Sequence, residues 1–267
     1  MEGSKIKTLL RHIKYRLVLK FKPRQNRVYT QFYRFPNQYK ALVERIIPRY
    51  QSTAETPLDI VMFACCSGAE AFSLSKILQE NFPTLRFRIR AFDIVEEVIQ
   101  QAHSGTFSKD EVYASPFITE DFVATAFTAD KDDNYQIKPH IAEPVEFAVG
   151  DMLDKSFIES LGKFDLVIAQ NVLFHLPQSQ SRIAFAHLCD LLKRDSTLFI
   201  NGMDTDMRIK LTKLYKLQPL EYLIEEIHND ARVDRGAGWA GAYWGREPFS
   251  RNAKEWIRKH CTIYIKE

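Results

Sequence analysis

Residues 58–80 read LDIVMFACCSGAEAFSLSKILQE, and the reading of this stretch decides the fold. The apolar run at 60–64 is too short for a helix and is placed between polar neighbours, so it predicts a fully buried central strand. A turn must follow at once. Gly68 is the residue there that can take a positive φ or let a ligand approach the backbone, and residues 71–78 then read as helix. Strand, tight turn and helix in that order make a nucleotide cradle.

A dinucleotide cradle would carry three spaced glycines and offer helix amides to a pyrophosphate. This turn has a single glycine, and Glu70 stands two places after it. A carboxylate at a helix start repels phosphate and welcomes a cation. S-adenosylmethionine suits such a corner, because it has an adenosine, no phosphate, an ammonium and a sulfonium.

The same letters resemble a known family. ACCSGAEAFS, residues 64–73, is similar to the motif of the CheR-type chemotaxis receptor-glutamate methyltransferases, roughly Cys-Ser-Thr-Gly-Glu-Glu-Pro-Tyr-Ser. Cys65, Gly68, Glu70 and Ser73 match without gaps, Phe72 stands for the tyrosine, and Ala69 and Ala71 depart from it. VYTQFYRFPNQYKAL, residues 28–42, resembles the family's Asn-x-Thr-x-Phe-Phe-Arg segment, with Thr30, Phe32, Arg34, Pro36 and Tyr39 matching and Val28 replacing the asparagine. The resemblance implies that Thr30 and Arg34 approach the methionine moiety of the cofactor or the reacting carboxylate. A guanidinium can grip a carboxylate with two parallel hydrogen bonds; taken alone, Arg34 would read as a surface ion pair.

Past the cradle, residues 86–92 read as a second strand ending at Asp93. An acidic residue there, about 25 residues beyond the turn, is where such a fold lays a carboxylate across ribose hydroxyls. The same position suits a helix cap for 95–103. Ala102, Gly105 and Phe107 resemble the family's Ala-x-x-Gly-x-Tyr segment. Residues 108–143 are polar and acidic, with a hairpin candidate at 135–141, and are expected to form a lid or insertion. A third strand at 145–149 closes on Gly150. Asp151 could then accept the adenine amine with Met152 packed on the ring, or cap a helix. Ala64 and Ile94 complete the expected cofactor-binding set.

The fourth strand, 164–169, leads into Gln170-Asn171-Val172-Leu173-Phe174-His175. The family's run is Arg-Asn-Val-x-Ile-Tyr, so Asn171 and Val172 match and are implied to floor the cofactor site, while Gln170 and His175 depart. The resemblance places His175 near the methyl group. A carboxylate acceptor is already ionised at neutral pH and needs no base, whereas a hydroxyl or amine benefits from one, which a histidine can supply. The plainer reading is a packed histidine bonded to backbone. Arg34 and His175 are thus the candidate catalytic residues.

A helix at 178–193, a fifth strand at 197–201, one or two helices within 211–227 and a last strand at 261–265 complete the pattern. Together they predict an α/β fold: a doubly wound, mostly parallel seven-stranded sheet of the class I methyltransferase, Rossmann-like type, with an antiparallel last strand. Trp239, Tyr243 and Trp244 in the Gly-rich stretch 234–249 read either as walls of an acceptor pocket or as a twisted hairpin.

With 267 residues, 45% hydrophobic and 27% charged, the chain can bury a sizeable core. The net charge of +3 is uneven: residues 1–27 carry nine Lys or Arg against one Glu. Ile6, Leu9, Leu10, Ile13, Leu17 and Phe21 recur at helical spacing, so this segment reads as a basic amphipathic helix, either docking on an acidic partner, RNA or an anionic membrane, or capping the main domain. The expected division is a basic helical segment at 1–50 and a methyltransferase domain at 51–267. No apolar run reaches the roughly 20 residues of a membrane span, no secretory core opens the chain, and the four cysteines lack metal spacing, so a cytoplasmic protein without a metal is expected. The expected function is S-adenosylmethionine-dependent methyl transfer to a protein glutamate or a small molecule, at a carboxylate, hydroxyl or amine. The alternative is a catalytically silent S-adenosylmethionine-binding regulatory module.

Overall fold

The computed structural model describes residues 28–50, 56–230 and 249–267, together with Ile13, Lys14, Leu17 and Arg24. The expected N-terminal helix lies, those isolated positions aside, outside the described residues. So do Trp239, Tyr243 and Trp244.

Among the described residues ten strands follow in chain order: β1 (Leu58–Phe63), β2 (Phe87–Asp93), β3 (Thr106–Ser108), β4 (Phe127–Ala129), β5 (Asn134–Ile137), β6 (Val145–Val149), β7 (Phe164–Ala169), β8 (Leu192–Ile200), β9 (Leu217–Pro219) and β10 (Ile263–Lys266). Seven of them form the main sheet in the order β6-β2-β1-β7-β8-β10-β9. β1 pairs in parallel with β2 and β7, and β10 pairs antiparallel with β8 and β9. The central strands read as continuous apolar runs because helices cover both faces: Ile60, Val61, Leu166 and Val167 are fully buried. The order of successive strands reverses between β1 and β7, the switch point at which open α/β sheets bind ligands outside the strands' carboxyl ends.

Three elements differ from the sequence expectation. Residues 106–137 form a second, three-stranded antiparallel sheet, β3-β5-β4, and not a lid. Its Phe107, Phe127, Tyr135 and Ile137 join the main core, so hydrophobic burial draws the insertion onto the side of the sheet and away from the cavity. β8 begins at Leu192, before the expected 197, because Lys193, Arg194 and Asp195 interrupt the apolar pattern at a register shift where Asp195 takes a φ of 57°. Leu217–Pro219 is a strand inside a stretch that reads as helix; three residues are too few to show a period, and their pairing partner β10 is more than 40 residues away.

The segment before β1 is built into the same core. Phe32 is 1% exposed and meets Phe107 and Phe127 edge-on at centroid distances of 4.8 and 5.0 Å. Helix Pro36–Ala41 continues through Leu42, Ile46 and Ile47, all buried against the sheet. Asn37 is fastened to Asp230 through its backbone N–H and its side-chain amide, both at 2.7 Å.

After β1 the chain turns through three left-handed residues, Ala64 (φ 57°), Cys66 (φ 53°) and Gly68 (φ 88°), before helix Ala69–Asn81. A Cβ on Gly68 would lie 2.7 Å from Phe147 Cζ on β6. Gly68→Ala is therefore expected to lower unfolding free energy by about 1–3 kcal/mol through strain and displacement of Phe147. The check is a urea titration, in which an unshifted midpoint would show that the turn relaxes freely.

Candidate functional site

Four loops leave the carboxyl ends of β1, β2, β6 and β7, and they enclose one cavity of about 280 Å³. From the first loop come Ala64, Cys66 and Glu70; from the second, Asp93, Ile94 and Val95. The third gives Gly150, Asp151 and Met152, and the fourth gives Gln170, Asn171, Val172, Phe174, His175 and Leu176. Arg24, Tyr29 and Arg34 reach in from the segment before β1.

Of the residues singled out in the sequence, Arg34, Ala64, Glu70, Asp93 and Ile94 line this cavity, as do Asp151, Met152, Asn171, Val172 and His175. Thr30 and Gly68 do not. Thr30 keeps a buried hydroxyl with no partner among the described residues, and Gly68 acts from behind, shaping the turn under Phe147.

Asp93 is 9% exposed and joins two loops. Its Oδ2 accepts from the Cys66 N–H at 2.9 Å and its Oδ1 from the Val95 N–H at 3.1 Å. The helix that follows starts at Glu96, so the carboxylate serves the loop instead of a helical turn. The oxygens retain lone pairs that the cavity can use.

Glu70 lies in the first turn of helix Ala69–Asn81 and pairs with Arg34, Nη1 to Oε1 at 3.2 Å. Both are largely buried, with side-chain exposures of 14% and 18%. Burial pushes the Glu70 carboxyl above its usual range, and the Arg34 charge and hydrogen bond oppose that rise. Arg34 also lies 5.3 Å from the Tyr29 ring centre and 5.4 Å from that of Phe35. Its loop is held by Tyr33, whose N–H donates to Ser73 Oγ at 2.9 Å.

Asp151 is gripped by Arg24 through two hydrogen bonds of 2.8 and 3.2 Å and accepts from the Leu153 N–H at 2.9 Å. Burial works against its ionisation, but the Arg24 fork and the Leu153 amide prevail and hold the carboxyl below its usual range. Cys66 also lines the cavity; burial pushes its thiol up to about 11, so it is no thiolate nucleophile at neutral pH. Asn171 takes a φ of 52°, and its Nδ2 is a buried donor without a partner among the described residues. Gly202 lets the chain pass behind it, since a Cβ there would meet Asn171 Cα at 2.6 Å.

Sequence reasoning left out Arg24, Tyr29, Cys66, Val95, Gly150, Gln170, Phe174 and Leu176 from the cavity wall. Most are immediate neighbours of residues it did select, so the loop positions themselves carried the signal. Arg24 had none, because only the fold brings it to a residue 127 places away. Among the described residues no group of His, Cys, Asp and Glu is arranged to hold a metal, and no helix is long and apolar enough to cross a membrane.

The family model described as "CheR methyltransferase, SAM binding domain" matches residues 28–222. A chemotaxis protein methyltransferase of Listeria monocytogenes is 27% identical over 175 residues, covering 66% of this chain and 64% of that protein. Chemotaxis protein methyltransferase 1 of Pseudomonas aeruginosa is 27% identical over 182 residues, covering 66% of this chain and 65% of that protein. The match thus spans a little under two thirds of the length of these relatives. Among solved structures, magnesium protoporphyrin IX methyltransferase of Synechocystis superposes with a TM-score of 0.40 at 17% identity, covering 69% of this chain and 70% of that one, a likeness too distant to bear on the site.

The Arg34–Glu70 pair generates a pH test. Arg34→Ala leaves only the upward push on Glu70. A carboxyl raised in the folded state lends stability that is complete below its unfolded value and is lost as pH rises through the folded value. The variant's unfolding free energy should therefore fall from about pH 4.5 upward more steeply than the parent's. One proton limits the slope to about 1.4 kcal/mol per pH unit. Parallel pH profiles in urea titrations of the two proteins would refute the coupling.

Proposed function

The chain belongs to the CheR methyltransferase family through its S-adenosylmethionine-binding domain, and from that premise we propose that it transfers a methyl group from S-adenosylmethionine to an oxygen or nitrogen nucleophile at the Arg34–His175 edge of the cavity. The observation that carries the reading is the charge of the wall: Glu70, Asp93 and Asp151 face one hollow, and Glu70 occupies the helix start where a phosphate would otherwise sit. Three carboxylates against two guanidiniums suit a ligand bearing an ammonium and a sulfonium. The buried Asn171 amide, without a partner among the described residues, supports occupation by a polar ligand.

In this reading Asp93 spans the ribose hydroxyls, keeping its two backbone bonds while offering its remaining lone pairs. Asp151 faces the adenine amine, with Ile94, Met152 and Val172 as apolar walls for the ring and Asn171 beside them on the floor. Glu70, restrained by Arg34, holds the ammonium end, and Thr30 stands behind the methionine moiety. When bound, S-adenosylmethionine supplies a methyl on sulfonium, which an acceptor lone pair takes in line as the carbon–sulfur bond breaks. The residues' contribution is positional: holding acceptor and methyl near contact in a water-poor site is worth on the order of several kcal/mol. Arg34 orients the acceptor, and His175 takes its proton where it has one.

Calorimetry tests the assignment. The parent should bind S-adenosylhomocysteine and reject NAD, whose pyrophosphate meets Glu70. Asp93→Ala should weaken S-adenosylhomocysteine binding at least about tenfold, on the order of 1.4 kcal/mol. Unchanged affinity in that variant would remove the ribose role, and no binding by the parent would remove the cofactor reading.

A further inference from the structure

Three residues of the segment before β1 line the cavity: Arg24, Tyr29 and Arg34, each five positions from the next. The two arginines are fastened to different loops. Arg34 pairs with Glu70 beyond β1, and Arg24 grips Asp151 beyond β6, with the β2 loop of Asp93 between them in the sheet. In the reading above, Glu70 serves the methionine end of the cofactor and Asp151 the adenine end. The segment is therefore tied at both ends of one hollow, and Tyr29 stands between the ties.

The two ends are held unequally. At Arg34 the chain is locked by Phe32 in the core, by the Tyr33 amide on Ser73 and by the bonds of Asn37 to Asp230. At Arg24 the tie is an ion pair, hydrogen bonds of 2.8 and 3.2 Å between residues 127 places apart. Its side chains are 29% and 34% exposed, so water and salt reach it, and it opens far more readily than the core unpacks.

The fork also leaves Asp151 able to serve a ligand. Oδ1 accepts from Arg24 Nη2 and the Leu153 N–H, and Oδ2 accepts from Arg24 Nη1. A carboxylate has about four lone-pair sites, so one on Oδ2 is not taken by a described residue. Closing the segment and binding the adenine amine are thus compatible. Arg24 precedes residues 28–222, so the pair joins a residue outside the stretch shared with the family model to one inside it.

We propose that Arg24 is a positioning residue for the cofactor: its fork on Asp151 holds the segment across the mouth of the cavity, and bound S-adenosylmethionine or S-adenosylhomocysteine leaves after that pair opens. The inference rests on the cofactor reading and adds the step that governs release.

The test needs no methyl acceptor. The dissociation rate of S-adenosylhomocysteine from the immobilised full chain is read by surface plasmon resonance at about 0.1 M and about 1 M sodium chloride, between which the screening length falls from about 10 Å to about 3 Å. Higher salt should speed release from the parent about threefold. Arg24→Ala should release the ligand about three- to fivefold faster than the parent at low salt and lose most of the salt response. Arg24→Lys, which keeps the charge without the fork, should fall between the two and keep the response. A general weakening of the site would speed release in the alanine variant without altering its response to salt. If Arg24→Ala does not fold, Arg24→Gln, uncharged and nearly as long, takes its place in the same comparison. Equal rates in the parent and the uncharged variant, an equal salt response in the two, or a lysine variant no slower than the uncharged one overturns the proposal and leaves the cofactor reading standing. A parent that does not bind S-adenosylhomocysteine overturns both.

Discussion

One carboxylate ties together the two loops at the centre of the sheet. Asp93 accepts the Cys66 amide with one oxygen and the Val95 amide with the other, so the turn after β1 and the turn after β2 are held at a common separation. The turn after β1 needs that restraint. It runs through left-handed φ at Ala64 and Cys66, a conformation costing on the order of 1 kcal/mol or more at each residue with a side chain. Strain of that kind persists only where surrounding bonds over-determine the backbone, and here they do so at the rim of the cavity.

The segment before β1 reaches the site by a different principle. Phe32 is locked between Phe107 and Phe127 of the small antiparallel sheet, and the Tyr33 amide is bonded to Ser73 on the helix after β1. With its neighbour so anchored, Arg34 has little freedom except toward Glu70. The insertion between β2 and β6 therefore serves the site indirectly: it supplies the aromatic socket that aims an arginine, without lining the cavity itself.

Charge and hydrogen-bond direction divide the cavity wall between them. Arginines meet carboxylates at the Glu70 and Asp151 positions, leaving a wall suited to a cationic ligand. At the end of β7, Asn171 Nδ2 and Gln170 Oε1 are buried without a partner among the described residues. Gly202 makes room for Asn171, since a Cβ there would strike its Cα.

Much of this was legible in the chain itself. Buried strands announce themselves as short apolar runs, and their carboxyl ends mark the loops that line the cavity, so Glu70, Asp93 and Asp151 were identifiable from position and residue type, and Asn171 from the family resemblance. A period of two or of 3.6 is a local property that a sequence displays directly. The pairings of those residues are not local. Arg24 with Asp151, Gln38 with Gln170 and Thr262, and the strand Leu217–Pro219 against β10 each join positions distant in sequence. No periodicity encodes such contacts. They follow from packing, which decides which buried polar groups find partners.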